Sequence, residues 1–342
     1  MRTPFASVVT ILCVLIPLPH QLVGGDVKKP TPIILDTDIG NDIDDLLALA
    51  MLHAAADKGQ CRLVAVTVSK DHHLCAPFVD MVNTFYLRPK IPIGVVRHGA
   101  TPEAGKYMKP LLERRVDGRL AYPRDVRSGK DAPGAVSTLR RALAAEQDNS
   151  VVVCVIGFST NLGRLLSSKP DTDSPLSGVE LVSRKVKLLS MMAGQFVEPQ
   201  RPEYNVVTDK DAASLVFSKW PTPVLVSGFE IGNTIHYPAK SIEKDFGGVK
   251  QHPVPEAYRL FRKMPYDSPC WDLTAVLAAL EPEADHFGLS PLGRVSVDAR
   301  GVTRFTPDAK GRVRYLSVTE KQRSHVQRRL IELVAGGAKR HR

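Results

Sequence analysis

Five aspartates fall within ten residues, in the run Asp36-Thr37-Asp38-Ile39-Gly40-Asn41-Asp42-Ile43-Asp44-Asp45. Carboxylates this close repel one another, and burying them together raises their pKa values at a cost to the folded state. Acids at a helix N-terminus gain from the helix dipole, which accounts for Asp44 and Asp45. It does not account for Asp36 and Asp38, which follow an apolar run at a strand end. A hard cation with oxygen ligands removes the repulsion at both places. Gly40 would let the backbone turn tightly beside it. The pattern therefore predicts a divalent metal site.

Such aspartates have two other uses. A calcium loop of the EF-hand type needs an oxygen ligand at its fifth position, Gly at its sixth and Glu at its twelfth. Counted from Asp36, those positions hold Gly40, Asn41 and Leu47. A phosphatase of the haloacid dehalogenase type would use two Asp separated by one residue after a strand, which Asp36 and Asp38 supply. The continuation from Gly40 to Asp45 is not typical of that family.

The elements that must position these residues alternate. Residues 33–35, 63–68, 91–96, 151–156, 186–192 and 223–226 are short apolar runs of strand character. Between them, residues 46–56, 76–86, 135–145 and 210–220 carry helical patterns. Strands buried on both faces read as continuous apolar runs, and helices between them imply parallel crossovers. The expected fold is α/β, a doubly wound and mostly parallel sheet, as one domain over residues 31–335. Its end departs from the alternation: residues 293–305 and 311–318 predict an antiparallel hairpin pair, and 320–334 a terminal helix. In an open α/β sheet, ligands bind beyond the carboxyl ends of the strands, where the aspartate run begins.

Five segments in order resemble the inosine–uridine-preferring nucleoside hydrolases, over roughly residues 32–298. That family runs from its first strand into Asp-x-Asp-Pro-Gly-x-Asp-Asp; here Ile39 stands in place of Pro, with two extra residues before the Asp pair. Gly157-Phe158-Ser159-Thr160-Asn161 resembles its Gly-x-x-Thr-Asn segment, and Met191-Met192-Ala193-Gly194 its Met-Gly-Gly loop. Glu203-Tyr204-Asn205 matches its Glu-Phe-Asn, and Trp271-Asp272 its His-Asp or Trp-Asp. Ser69-Lys70-Asp71 lies where the family has a small loop ending in Asn.

The resemblance implies Ca²⁺ held by Asp38, Asp45, Asp272 and the carbonyl of Ile156. It implies hydrolysis of an N-ribosidic bond, with Asp38 as the base that takes a proton from water and an oxocarbenium-like ribosyl transition state. Asp44 and Asn205 would grip the ribose hydroxyls and Glu203 the 5′ end. The two-residue insertion makes Asp42 a rival to Asp44, and Asp71 adds a charge where the family has a neutral Asn. Trp271 replaces the His that in many members is proposed to protonate the base, and would stack on a purine instead. The alternative is a non-catalytic, Ca²⁺-dependent binding protein for a ribosyl or sugar ligand on the same fold. The expected partner is a small nucleoside or related ribosyl compound.

Composition agrees with a folded domain: of 342 residues, 43% are hydrophobic and 24% charged, ordinary for a globular protein. The net charge of +10 is concentrated late, in Arg312, Arg314, Lys321, Arg323, Arg328, Arg329 and residues 339–342. No aromatic interleaving or nucleic-acid motif accompanies it, so it reads as a solvated face and not a nucleic-acid site. Cys61, Cys75, Cys154 and Cys270 show no CxxC spacing, which argues against zinc. Cys154 reads as a buried thiol, and no disulfide pair can be chosen. Arg2 followed by the apolar run 8–18, cut by Pro17 and Pro19, has the form of a signal peptide over residues 1–25. It is too short to span a bilayer, so a secreted or periplasmic protein without stable membrane insertion is expected. The oligomeric state is left open, a homo-oligomer included. N-terminal sequencing of the exported protein should begin near Gly25 or Asp26; recovery of an intact Met1 would overturn the export reading.

Overall fold

A computed structural model describes residues 29–101, 103–246, 249 and 251–337. The segments proposed as signal peptide and as the last basic cluster, 1–25 and 339–342, lie outside these residues. The apolar runs form strands β1 (Thr31–Thr37), β2 (Cys61–Lys70), β3 (Ile93–Ala100), β4 (Val151–Val155), β5 (Val186–Met192) and β6 (Val224–Ser227). Their alternation explains why they are apolar throughout. Ile33 and Leu35 pack into one core with Val152 and Cys154, while Ile34 packs into a second core with Val151, Val153 and Val155. Side chains of successive strand residues point to opposite faces, so both faces of the sheet are covered.

The helices that cover it are α1 (Asp44–Asp57), α2 (Cys75–Phe85), α3 (Ala135–Ala145), α4 (Lys210–Lys219) and α5 (Trp271–Leu280). α1 and α5 are buried almost all round, which is why their Ala- and Leu-rich sequences lack a polar face. The chain ends in α6 (Glu320–Gly336), opened by a reciprocal Thr319–Gln322 cap. No helix among the described residues is long and apolar enough to cross a membrane.

The strands β1 to β6 pair in parallel, in the order β3-β2-β1-β4-β5-β6. The order reverses between β1 and β4, and at such a switch point the loops leaving the two strands part to open a crevice. Three late strands extend the sheet beyond β6: β7 (Gly293–Val297), β8 (Thr303–Pro307) and β9 (Val313–Ser317). β7 and β8 make the expected hairpin. β9 does not continue it: it pairs in parallel with β6 and meets β7 only at Val313–Gly293. β6 would otherwise present an unpaired edge, and β9 covers it while burying Val313 and Leu316. A short strand, Gly288–Leu289, adds to β9 on the antiparallel side. Cys61, Cys75, Cys154 and Cys270 are all buried free thiols.

Candidate active site

β1 and β4 are neighbours, so the residues leaving them share one edge of the sheet. Asp36 O accepts from Ile156 N at 2.8 Å, which prolongs the ladder to the last residue before Gly157. A Cβ on Gly157 would come within 2.5 Å of Asp38 N and 2.4 Å of Ser69 Oγ, so only glycine lets these strand ends close. The chain then turns at Gly40, whose φ of +109° is a conformation L-residues avoid, and enters α1 at Asp44. From far along the chain, α5 aims its first turn at the same place: Asp272 N donates to Asp44 Oδ2 at 3.0 Å. Gly232 permits the approach, since a Cβ there would lie 2.3 Å from Trp271 Cα.

Asp42, Asp44, Asp45 and Asp272 each place a carboxylate oxygen within 4.8 Å of the others. Asp44, Asp45 and Asp272 are buried. Burial, followed by the neighbouring carboxylates, pushes all three well above the usual range. Asp38 stands beside the cluster, and burial followed by the charge of Asp42 raises it to about 7. Thr37 Oγ1 donates to Asp45 Oδ1, while Asp45 Oδ2 is buried with no hydrogen-bond partner. Asp36 lies deeper and braces the strands, accepting from Thr67 Oγ1 at 2.5 Å and Asn161 Nδ2 at 2.7 Å.

A cleft of about 180 Å³ opens over this cluster. It is lined by the carboxylates Asp38, Asp42 and Asp272, by Asn41, Ile156 and Met192, and by Glu203, Tyr204, Asn205, Phe229 and Trp271. Of the two rivals created by the insertion, Asp42 borders the cleft and Asp44 sits beneath it, holding α5. Glu203 borders the cleft but is heavily engaged. It accepts from Gly194 N at 2.9 Å, Asn205 N at 2.8 Å and Val206 N at 3.2 Å, capping the short helix Tyr204–Thr208. Desolvation raises it to about 7 despite these donors. Asn205 Nδ2 donates to the carbonyls of Ile156 at 3.2 Å and Met192 at 3.3 Å, so its amide nitrogen ties β4 to β5. Trp271 is half-buried and stacked on Phe229, ring centroids 5.5 Å apart. Its Nε1 is buried with no acceptor.

Asp71 is not brought into this cleft. Its Oδ2 accepts from Gly99 N at 3.0 Å, and it lines a separate groove with His72, His73 and His98. Two residues not singled out from the sequence take part: Asn41 lines the cleft, and Lys70, which borders the separate groove beside Asp71, reaches it through Asn41. Asn41 Nδ2 donates to Asp38 Oδ2, and Lys70 Nζ donates to Asn41 Oδ1. The only sequence signal for Lys70 was a charged residue at the end of a buried strand.

The donor set fits a divalent cation. Four clustered carboxylates and a buried, unpartnered Asp45 oxygen are hard oxygen ligands with too few protein donors of their own. Such a cation would also relieve the mutual repulsion.

The family model described as inosine-uridine preferring nucleoside hydrolase matches residues 33–324. No curated protein matches the chain. Among solved structures, the plant nucleoside hydrolase PpNRh1 superposes with a TM-score of 0.64 at 19% identity, covering 90% of this chain and 99% of that one. An inosine-uridine preferring nucleoside hydrolase from Bacillus anthracis gives 0.65 at 16% identity, covering 91% and 99%. The type III effector protein XopQ, solved with adenosine diphosphate ribose, gives 0.61 at 18% identity, covering 91% and 94%. These likenesses show the shared fold.

Two outcomes test the cluster. Asp272→Ala removes one carboxylate from the far end of the chain, and calorimetry with Ca²⁺ as probe should then lose the tight binding seen for the parent; parent-like binding would misassign the site. The second is a pH dependence. A carboxyl whose folded pKa is raised holds a proton that the unfolded chain has released, so its stabilising contribution is lost as pH rises through the folded value. For Asp38 that value is about 7. The Tm gained on adding Ca²⁺ to chelator-treated protein should therefore be larger at pH 8 than at pH 6. An equal or smaller gain at pH 8 contradicts the electrostatics described here.

Proposed function

The chain belongs to the inosine-uridine preferring nucleoside hydrolase family and is a glycosidase-type hydrolase, and we propose that it cleaves the N-ribosidic bond of a purine nucleoside or related ribosyl compound with Ca²⁺ in its carboxylate cluster. One observation carries this reading. The cleft joins a wall of carboxylates, Asp38, Asp42 and Asp272, to a half-buried indole, Trp271.

The clustered Asp42, Asp45 and Asp272 would hold the cation, with Asp38 and the Ile156 carbonyl, which border the same cleft, beside them. When bound, Ca²⁺ supplies a positive centre that lowers the pKa of water and accepts sugar hydroxyls. The chain's own residues do the rest. Asp38, a carboxylate bordering the cleft, would take a proton from water. Asn41 holds the Asp38 carboxylate by donating to its Oδ2. Water adds its oxygen to the anomeric carbon as the bond to the base breaks, giving ribose and free base. The nearby carboxylates favour the positive charge that develops on the ribosyl ring. Asp42, which borders the cleft, would meet ribose hydroxyls. Asn205 keeps its Oδ1 for a ligand, since its nitrogen is spent on the two carbonyls.

Trp271 supports the purine preference. An indole N–H has no useful acidity at neutral pH, so it cannot replace a proton-donating His. Its face can hold a base by stacking, worth ~1–3 kcal/mol per base, and a two-ring purine covers more of it. The apolar N-terminal run supports action outside the cytoplasm.

A second reading, a Ca²⁺-dependent binder of ribosyl ligands without turnover, is favoured by the missing His. XopQ, the effector solved with adenosine diphosphate ribose, shows that a relative of this fold takes a ribosyl ligand. Turnover of inosine, adenosine and uridine with added Ca²⁺ separates the readings. We expect purine nucleosides to be cleaved faster than uridine. Trp271→Ala should lower kcat/KM for inosine while Ca²⁺ affinity stays near that of the parent, because Asp272 is untouched. A core role for Trp271 would instead show as a stability loss of roughly 3–5 kcal/mol with no selective effect on substrate. Ligand binding with no release of base from any substrate would establish the second reading, and uridine cleaved as fast as inosine would remove the stacking idea.

A further inference from the structure

Lys70 is a buried cation beside this site, joined to it through Asn41. Lysine is almost never fully buried unless it is paired, yet Lys70 is only 2% exposed. It is the last residue of β2, where the pairing with β3 is irregular: Val68 sits opposite Val95, but Lys70 opposite Ala100. An irregularity of this kind re-aims side chains. The ammonium donates to Asn41 Oδ1, and the other end of the same amide donates to Asp38 Oδ2. The amide is thereby held in one orientation, oxygen toward the ammonium and nitrogen toward the carboxylate. Cys75, at the start of α2, packs beside the same turn, its Sγ on Ile39 O at 3.4 Å. The Lys70 charge also reaches the cluster, offsetting part of the upward pressure on both Asp38 and Asp45.

We propose that Lys70 is a built-in counter-ion of the carboxylate cluster, a positioning residue that fixes Asp38 through Asn41 and makes divalent-cation binding weak and exchangeable. The inference rests on the reading of the cluster as a cation site. An ammonium held near a divalent cation repels it, and burial leaves that repulsion poorly screened. The same ammonium shields the carboxylates when no metal is bound, so the cleft keeps its form.

Calorimetry with Ca²⁺ on the full-length mature chain tests this. Lys70→Gln keeps a donor for Asn41 and removes the charge; Lys70→Met removes both; Lys70→Arg keeps the charge. Lys70→Gln and Lys70→Met should bind Ca²⁺ with a Kd lower than the parent by about tenfold or more, and Lys70→Arg should stay close to the parent. If Lys70→Met fails to fold, the Gln and Arg variants decide the question alone. A Lys70→Gln Kd equal to or weaker than the parent's overturns the proposal, as does absence of Ca²⁺ binding in every variant. Failure to cleave any nucleoside, with the Kd ordering intact, would count against the hydrolase reading and leave this one standing.

Discussion

The repulsion among buried carboxylates is the constraint around which the structure is arranged. Asp38, Asp44, Asp45 and Asp272 lie out of water at one edge of the sheet, with Asp42 at their border. Each carries an electrostatic and desolvation cost that no apolar contact offsets directly. The protein spreads partners thinly over them: a hydroxyl from Thr37, an amide from Asn41, a backbone N–H from Asp272. Three neutral donors and one indirect ammonium do not neutralise five carboxylates. The remaining oxygens, Asp45 Oδ2 among them, are what a cation would take.

Such a cluster can exist only on a frame stiff enough to hold it against its own charge. The frame comes from two cores, one on each face of the parallel sheet, that meet at β1 and β4. Asp44 and Asp272 are 228 residues apart in sequence, yet one hydrogen bond joins them. That bond lets Asp44 hold the first turn of α5, a helix buried in the same core as α1. Aspartate near a helix N-terminus is favoured by the helix dipole. Both α1 and α5 therefore bring their positive ends to the carboxylates, which is a second, distributed source of compensation.

How much of this was legible in the sequence follows from what each signal depends on. The strands and covering helices could be read because burial on both faces leaves apolar runs that no surface element shows; the strand over residues 186–192 and the helix over 135–145 were placed to the residue. The course of β9 could not be read, since its pairing with β6 depends on which edge stands open after the chain has crossed the sheet. Within the site, residue type announced the carboxylates but not their division of labour. Glu203 and Asn205 were expected on the ligand. They do border the cleft, yet most of their polar atoms brace the backbone of β4, β5 and the helix that follows. A motif records a physical requirement, and a braced loop is as strict a requirement as a substrate contact. Lys70 was passed over because a strand residue's reach across a turn is a tertiary fact.

The two kinds of wall in the cleft restrict what can fill it. A free sugar would satisfy the carboxylates, directly or through a cation, but would leave the face of Trp271 and its neighbour Phe229 against water. A free base would cover the indole and leave the charged wall without hydroxyl partners. A ligand matched to both has vicinal hydroxyls at one end and a flat, largely apolar ring at the other, joined at the distance of one glycosidic bond. Its charge distribution matters as well. As the bond to the ring breaks, positive charge grows on the sugar, toward the carboxylates, and electron density moves to the ring, toward the indole. The first change is favoured by the anionic wall. For the second, no imidazole is among the described residues that line the cleft, so in the reading proposed above the leaving ring would take its proton from water. A purine, which has several basic nitrogens, can do this more readily than uracil. The purine preference proposed above thus has two physical sources, the area of the stacked ring and its proton affinity, and both follow from an indole standing where an imidazole would donate.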